Sequence, residues 1–396
     1  MSCVQSGDPL STAQTLGQAY DPQRGVIVSI TPGVVLDTQT QSPTTMRASV
    51  PNPQLDLSTT QSAQGPFSLT LQNIARGSTV RVISNAEQGR GSVLAGLDQA
   101  SASACIKEQP VVMTCADEQG RCAPAAVTFT APTEATLTLE LEPCRQLILR
   151  VEPPERLRET LSFGVVGQSE DTGQLRAALS QAQVQDLDMV IVLAGARDKQ
   201  ANYIDLLAQV TSGLSVPVVV LTGALEEEQS ALFAEAFGQT NFRWTLGQVQ
   251  FVNFFSSSSG VGTRGLNLLE VLLTAAAREE QRNRPEGADA RQWPLFAVSS
   301  TPPLPTSSFV EDGYDSRLEA ARVLSLLARF GVDTLFASGE HDVEVDAAPN
   351  VTTTQLAQPG FSQGGKLVVV EVSSEPQPGS RPLGTRYILT RTLDAP

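Results

Sequence analysis

The sequence contains a single histidine, His341, within the stretch LFASGEHDVEVD. The apolar run VDTLFA precedes it and predicts a buried strand, so the imidazole falls in the turn at the carboxyl end of that strand. A histidine in such a turn is typical of a metal ligand or a catalytic base. Both kinds of chemistry need further imidazoles, carboxylates or amides that converge on the same point. The partners of His341 should therefore follow other strands.

Apolar strands alternate with amphipathic helices from about Leu161 onward, which predicts an α/β domain with consecutive parallel strands. Active sites in such sheets form at the carboxyl ends of the strands. The segments that contain the predicted strand ends are, in order, VVGQSED, LAGARD, LTGALEEE, NFFSSSSG, VSSTPP and ASGEHDVE.

The order and spacing of these segments resemble the calcineurin-like metallophosphoesterase family, from residue 161 to about residue 375. In that family Asp-x-His, Gly-Asp-x-x-Asp and Gly-Asn-His-Asp/Glu follow the first three strands. A lone His then precedes x-Pro-Pro, and Gly-His-x-His ends the set. The runs FGQTNFRWTLGQVQFVNF and EAARVLSLLARFGVDTLFASGEHDVE extend the similarity beyond the motifs. The resemblance implies a four-layer αββα sandwich that holds two metal ions and hydrolyses phosphate esters.

This sequence lacks most of the ligands that the resemblance implies. The corresponding positions hold Gln168, Glu170, Ala196, Ala224, Leu225, Glu226, Ser300, Gly339 and His341. Alanine and leucine have no donor atom for a cation, and one histidine cannot supply several imidazole ligands. We therefore predict a pseudoenzyme with no catalytic residue, no bound metal and no cofactor, which acts by binding.

Two alternatives use the remaining polar residues at the same strand ends. Oxygen ligands suit Ca²⁺, and a rebuilt carboxylate site would serve a calcium-binding protein or an enzyme of the same fold. The carboxylates available for such a site are Glu170, Glu226, Glu340 and Asp342. Arg197, beside the vacated bridging position, and Arg264 are candidate contacts for an anionic ligand.

Two weaker motifs lie in the same region. The run GVGTRG, residues 260–265, matches the dinucleotide fingerprint G-x-G-x-x-G. Four serines separate it from the preceding strand, so we expect a flexible Gly/Ser loop instead of the tight turn that the fingerprint needs. Ser299 and Ser300 invite a serine-nucleophile hypothesis, but no G-x-S-x-G elbow surrounds them.

The preceding part of the chain has a different pattern. Short alternating runs such as PFSLTLQNI and ATLTLELEP, separated by turn residues, predict an antiparallel β-domain with immunoglobulin-like sandwich packing. We place this domain at residues 24–152, after a flexible tail at residues 1–23. The phosphoesterase-like domain occupies residues 160–396.

Cysteine usage favours export. Four of the five cysteines cluster in the β-domain and suit two disulfides with three possible pairings: Cys105, Cys115, Cys122 and Cys144. A zinc site is the weaker alternative because no histidine is near. Cys3, followed by a polar tether, resembles the lipidated cysteine of bacterial lipoproteins. We expect an exported, periplasmic or cell-surface protein, with protein partners in an envelope assembly and membrane attachment only through Cys3.

The overall charge excludes one class of partner. The formal net charge is −15 and the isoelectric point is about 4.6, and no basic stripe is evident along the chain. Binding to nucleic acid through phosphate neutralisation is therefore not expected.

Overall fold

A computed structural model describes most of the chain. The described residues are 18–21, 26–30, 34–37, 44–48, 51–59, 63–85, 111–114, 127–131, 133–141, 146–167, 172–194, 203–212, 214–222, 232–234, 236–238, 240–257, 259–285, 293–299, 301–303, 313–337, 344–347, 355–358, 366–383 and 386–394. The chain divides into two compact units, residues 1–154 and 155–396. The boundary falls in the interval that separates the two predicted domains.

Among the described residues of the first unit, the regular elements are strands. These are β1 (Gln18–Asp21), β2 (Val26–Ile30), β3 (Val34–Asp37), β4 (Thr44–Ala48), β5 (Gln54–Thr59), β6 (Gly65–Gln72), β7 (Thr79–Asn85), β8 (Val111–Thr114), β9 (Val127–Ala131), β10 (Glu134–Leu141) and β11 (Gln146–Glu152). They form a sheet in the order β1-β2-β5-β11-β7-β8 and a sheet in the order β3-β4-β6-β10-β9. In β10, Leu137 and Leu139 are buried while Thr138 and Glu140 are exposed, so one face of this strand is covered.

Two predictions for the first unit need correction. Residues 18–21 belong to the predicted flexible tail, but they form β1 and pair with β2. The prediction of a flexible tail is therefore wrong for these residues. The domain was predicted to be antiparallel, but β4 pairs in parallel with β6. The immunoglobulin-like packing stays a prediction. The five cysteines, Cys3, Cys105, Cys115, Cys122 and Cys144, lie outside the described residues.

The second unit alternates strands with helices. Its strands are β12 (Thr160–Val166), β13 (Met189–Ala194), β14 (Val218–Thr222), β15 (Phe242–Leu246), β16 (Val249–Phe254), β17 (Leu295–Ser299), β18 (Thr334–Ala337), β19 (Glu344–Ala347), β20 (Gln355–Gln358), β21 (Lys366–Ser373), β22 (Arg381–Leu383) and β23 (Arg386–Asp394). Its described residues include the helices α1 (Thr172–Val184), α2 (Tyr203–Ser212), α3 (Gly262–Asn283) and α4 (Arg317–Arg329), and a 3₁₀ turn occupies Glu155–Arg158.

Two six-stranded sheets form the centre of the second unit. One has the order β14-β13-β12-β21-β23-β22, and the other has the order β15-β16-β17-β18-β20-β19. The strands β12, β13 and β14 run parallel, as predicted, and so do β16, β17 and β18. Because parallel neighbours end at the same edge of a sheet, each set brings three predicted strand ends together.

An aromatic row joins the two sheets face to face. Phe251 of β16 is the register partner of Phe296 on β17, and the ring of Phe336 on β18 lies 5.8 Å from the Phe296 ring. Phe163, from β12, packs edge-on against all three, with ring centroids 5.2, 5.4 and 6.0 Å away. All four rings are almost completely buried, and such edge-to-face contacts are the favoured aromatic geometry.

The helices cover the outer face of each sheet. Leu179 of α1 and Leu207 of α2 belong to one apolar cluster with Val192 of β13. On the other sheet, α3 and α4 share a second apolar cluster with the strand residues Val252, Phe254, Leu295, Ala297 and Leu335. The second unit therefore has helix, sheet, sheet and helix layers, in the α/β class that the sequence predicted.

Candidate functional site at the strand ends

The predicted ligand positions follow strands whose ends are now defined. The strands β12, β13 and β14 end at Val166, Ala194 and Thr222, while β17 and β18 end at Ser299 and Ala337. The positions that come next lie outside the described residues: Gln168, Glu170, Ala196, Arg197, Ala224, Leu225, Glu226, Ser300, Gly339, Glu340, His341 and Asp342. The topology thus brings their strands together, but their side chains have no described geometry.

The described residues hold no metal-ligand cluster of their own. No group of three or more His, Cys, Asp and Glu side chains within the described ranges is arranged to hold a metal ion. In the same ranges, no helix combines the length and the apolarity needed to cross a membrane.

A cluster of buried hydroxyl groups lies at the ends of β16 and β17. Ser256 Oγ and Ser299 Oγ are 2.5 Å apart, and both side chains are fully buried. Both hydroxyls are also within hydrogen-bond distance of the Thr301 carbonyl oxygen, at 3.0 and 3.1 Å. Because each hydroxyl has one proton, one serine donates to the other and the second donates to this carbonyl. The Thr301 backbone N–H in turn donates to Ser256 Oγ at 2.9 Å. These bonds fix the peptide that follows the predicted ligand position Ser300.

Tyr314 completes this hydroxyl cluster from the segment before α4. Its backbone N–H donates to the Pro303 carbonyl at 3.4 Å, and its side chain is 6% exposed. Within the described part of the chain, its Oη has no partner with hydrogen-bond geometry. Burial raises the pKa of Tyr314, and the nearby Ser256 and Ser299 hydroxyls only partly oppose that rise. The phenol therefore stays protonated near neutral pH and is no general base there.

The serine-nucleophile hypothesis finds no support in this geometry. A serine nucleophile needs a neighbouring base and access to the substrate. Ser299 Oγ is instead buried, and its hydrogen bonds go to another serine and to a backbone carbonyl. Ser300 lies outside the described residues. The hydroxyl cluster stabilises the ends of the two strands. Of its members, only Ser299 was a candidate from the sequence.

The segment before α3 is a tight turn instead of the expected flexible loop. The Ser257 N–H donates to the Gly260 carbonyl at 3.1 Å, and the Gly260 N–H donates back at 2.8 Å. The Ser257 and Ser259 hydroxyls are 2.8 Å apart. The expectation of a flexible Gly/Ser loop was therefore wrong for these residues.

A carboxylate from α4 caps the amino end of α3. Glu319 Oε1 accepts from the Val261 N–H at 2.9 Å and also from the Gly262 N–H. Helix amino ends carry unpaired N–H groups and a partial positive charge, which is where a dinucleotide fingerprint would bind phosphate. Glu319 already occupies that position, so the dinucleotide hypothesis for GVGTRG is not supported. Arg264, one turn further along, is exposed.

An ion pair between the exposed Arg156 and the buried Asp188 lies at the amino end of β13. Arg156 Nη1 is 2.6 Å from Asp188 Oδ1, and the Ser162 N–H donates to Asp188 Oδ2 at 2.9 Å. Burial raises the pKa of Asp188 above its ordinary value, while Ser162 and Arg156 act in the opposite direction. The pair is at the opposite strand ends from the candidate site and fixes the start of β12.

The comparisons with known proteins give similarity of fold only. No protein-family model matches the chain, and no curated protein matches its sequence. Several solved structures match. The GAP50 anchor in the inner membrane complex of Plasmodium is 14% identical, with a TM-score of 0.42, over 60% of this chain and 85% of that chain. A dimetal phosphatase from Danio rerio is 12% identical, with a TM-score of 0.40, over 60% of this chain and 100% of that chain.

A third matching structure extends over both units. The structure of PhoD is 9% identical, with a TM-score of 0.38, over 100% of this chain and 92% of that chain. The matching structures thus include proteins with a phosphatase fold, and their sequence identity to this chain is low. All three TM-scores are below 0.5, so no functional conclusion rests on them.

Proposed function

We propose that this chain is a catalytically inactive binding protein on a metallophosphoesterase-like scaffold, and that its partners are proteins of a bacterial envelope assembly. The scaffold supplies parallel strand ends that converge on two sheet edges. Binding at those edges, or on the surrounding helices, replaces the hydrolysis that the resemblance implies.

The residues at the vacated ligand positions are the observation that carries this proposal. Ala196, Ala224 and Leu225 stand where the resembling family has an aspartate, an asparagine and a histidine. Without a cation, clustered carboxylates repel one another and lose solvation, so apolar replacements stabilise an empty site. His341 is the single imidazole left in the chain, and one imidazole cannot hold a pair of metal ions.

The geometry beside these positions supports the same conclusion. The Ser256 and Ser299 hydroxyls bond to each other and to the Thr301 peptide, next to the position where the family has a lone histidine. Hydroxyls whose protons are used in this way have no donor left for the oxygens of a phosphate ester. They are suited to holding the strand ends in place.

Export and lipid anchoring form a separate part of the proposal. The even cluster Cys105, Cys115, Cys122 and Cys144 suits disulfides, which persist in oxidising compartments. Cys3 provides a thiol for lipidation. We expect wild-type protein in the membrane fraction of a bacterial host that processes lipoproteins, and Cys3→Ser protein in the soluble exported fraction. Identical fractionation of the two proteins would contradict the anchor and leave the binding role standing.

Elemental analysis of the purified chain tests the loss of the metal site. An active two-metal phosphatase carried through the same preparation controls for metal lost during purification. We expect no stoichiometric iron, manganese or zinc in this chain, and metal in the control. A stoichiometric metal that His341→Ala removes would contradict the proposal. A thermal shift with Ca²⁺ would favour the rebuilt carboxylate site instead.

A further inference from the structure

The outward face of α3 carries an unusual stripe of side chains. Its members are Arg264, Leu268, Val271, Ala275, Arg278 and Arg282, at spacings of four and three residues in turn. This is the spacing of a coiled-coil seam, and over these residues it runs for about 27 Å along the helix. The stripe has an apolar centre and arginines at both ends.

This stripe faces solvent, away from the core. The residues that α3 buries are Leu269, Leu273, Ala276 and Glu280, on the opposite side of the helix. Leu268 is 38% exposed and Val271 is 62% exposed, and the three arginines are exposed as well. On the neighbouring helix α4, Leu318 is 63% exposed and Arg322 is exposed as well.

The arginines of the stripe have no partner within the described residues, because the three acidic residues of α3 bind elsewhere. Glu270 pairs with Arg329 of α4. Glu279 pairs with Arg243 of β15, and Glu280 is held by Arg284 through contacts of 2.6 and 3.2 Å.

The positive charges of the arginines on the stripe are not neutralised by acidic side chains of α3. Arg278 and Arg282 are four residues apart, where like charges on a helix repel each other. In a chain with a net charge of −15, this face remains positive at both ends and apolar between them. An occupant with negative charge at its ends would relieve that repulsion.

We propose that this face docks an acidic amphipathic helix of a partner protein, apolar at its centre and with Asp or Glu near both ends. The 3.5-residue period matches a helical partner, because only a helix presents knobs at that spacing over such a length. An anionic membrane fits less well, since the whole chain is acidic and the apolar side chains of the stripe are short and aliphatic. No described helix of this chain has acidic residues at both ends, which argues against a second copy.

Titration of the full chain with two synthetic helical peptides tests this docking. Both peptides have the same Leu/Ala seam, and one has Glu at its ends while the other has Lys. We expect the Glu peptide to bind, with an affinity that falls as salt rises, and the Lys peptide to bind at least about tenfold more weakly. Equal affinity for the two peptides, or no binding of either, would overturn the proposal.

Matched substitutions locate the binding face. Val271→Glu and Arg278→Glu should each weaken binding of the Glu peptide by about tenfold. The controls are Val184→Glu and Arg176→Glu on α1, where the same residue types are also exposed. The double variant Arg278→Glu/Arg282→Glu should gain affinity for the Lys peptide. If the α1 control variants lost peptide binding to the same degree, the peptide would not bind at the stripe on α3.

Two further measurements distinguish other occupants. Binding of phosphatidylserine vesicles that Val271→Glu abolishes, without peptide binding, would replace the partner helix with a membrane surface. A dimer in analytical ultracentrifugation that Val271→Glu dissociates would replace it with a second copy. Docking of a partner helix would be one form of the proposed binding role, and its biological meaning rests on that proposed function. A metal-free chain that binds neither peptide would refute only this inference, whereas a chain that binds the peptide and hydrolyses phosphate esters would refute only the proposed function.

Discussion

Glu319 Oε1 of α4 accepts a hydrogen bond of 2.9 Å from the Val261 N–H at the amino end of α3. Glu319 is itself in the first turn of α4, where its N–H donates to the capping Ser316 hydroxyl at 3.3 Å. One acidic residue therefore takes part in capping two helices and places a negative charge where both have partial positive charge. This contact joins the segment after β16 to the segment after β17.

Removal of this cap should destabilise the second unit. We expect Glu319→Ala to lower the free energy of unfolding by about 1–2 kcal/mol, and Glu319→Gln to lower it by less because the amide oxygen still accepts. Both tryptophans, Trp244 and Trp293, lie in this unit, so their fluorescence during urea unfolding reports its stability. The exposed Asp315→Asn is the matched control. A Glu319→Ala protein as stable as that control would contradict the capping role.

Two glycines beside the cap provide a second test. Gly260 and Gly262 both have positive φ, 94° and 66°, so alanine is strained at either position. A Cβ on Gly260 would also lie 2.5 Å from Glu319 Cδ, whereas a Cβ on Gly262 meets nothing within 4 Å. We expect Gly260→Ala to cost about 1 kcal/mol more than Gly262→Ala, because only the former displaces the cap.

The same geometry predicts that two of these substitutions are not additive. Once Glu319→Ala has removed the carboxylate, Gly260→Ala has no cap left to displace, so the double variant should lose less stability than the sum of the single variants. Fully additive losses in urea unfolding would show that the two residues act independently.

Tyr314→Phe should be neutral or slightly stabilising. The Tyr314 hydroxyl is buried and has no hydrogen-bond partner among the described residues, and removal of an unsatisfied polar group relieves a desolvation cost of about 1 kcal/mol or more. Ser299→Ala should instead destabilise by about 1 kcal/mol, because it breaks bonds to Ser256 and Thr301. A comparable loss in Tyr314→Phe, measured by the same urea unfolding, would show that the phenol has a partner in solution.

The ion pair between Arg156 and Asp188 should make stability depend on pH. The pKa of Asp188 is already raised by burial, and Arg156 limits that rise, so Arg156→Ala should raise the pKa further. Above this pKa the variant contains an ionised, buried carboxylate without its partner. We expect a loss of about 1 kcal/mol near neutral pH, after allowance for the 58% exposure of Arg156.

This loss should disappear as the pH falls. Below the pKa of folded Asp188 in the wild type, the carboxyl is protonated with or without Arg156, and the two proteins should unfold with equal free energies. Urea unfolding from neutral pH down to about pH 4 checks this, with the exposed Arg158→Ala as control. A loss that is independent of pH would mean that Arg156 stabilises by packing alone.

The strands and helices of the second unit were largely predictable because their periodicity is strong. Buried parallel strands such as β13 are short apolar runs, and α1 and α4 show the spacing of amphipathic helices. The antiparallel position of β21, between β12 and β23, could not be read from sequence, because pairing over such a separation leaves no local pattern. The parallel pairing of β4 with β6 was missed for the same reason.

The site was less predictable than the fold because its contacts join distant residues. Nothing local indicates that Glu319 reaches Val261, or that Tyr314 lies beside Ser256 and Ser299. The stripe on α3 was also missed, because its arginines are separated by three or more residues and form a patch only on a helix. The sequence did indicate the chemistry of the site, because the residue types at the strand ends lack the metal ligands that a two-metal site needs.

Turnover of phosphate esters by the purified chain tests the central claim most directly. The chain is supplied with Mn²⁺, Fe²⁺ or Zn²⁺ and assayed on p-nitrophenyl phosphate and bis(p-nitrophenyl) phosphate, beside His341→Ala. We predict that neither protein exceeds the rate of the metal-containing buffer with any metal. Metal-dependent hydrolysis by the wild type that His341→Ala abolishes would show a working active site and contradict the claim that this chain acts by binding.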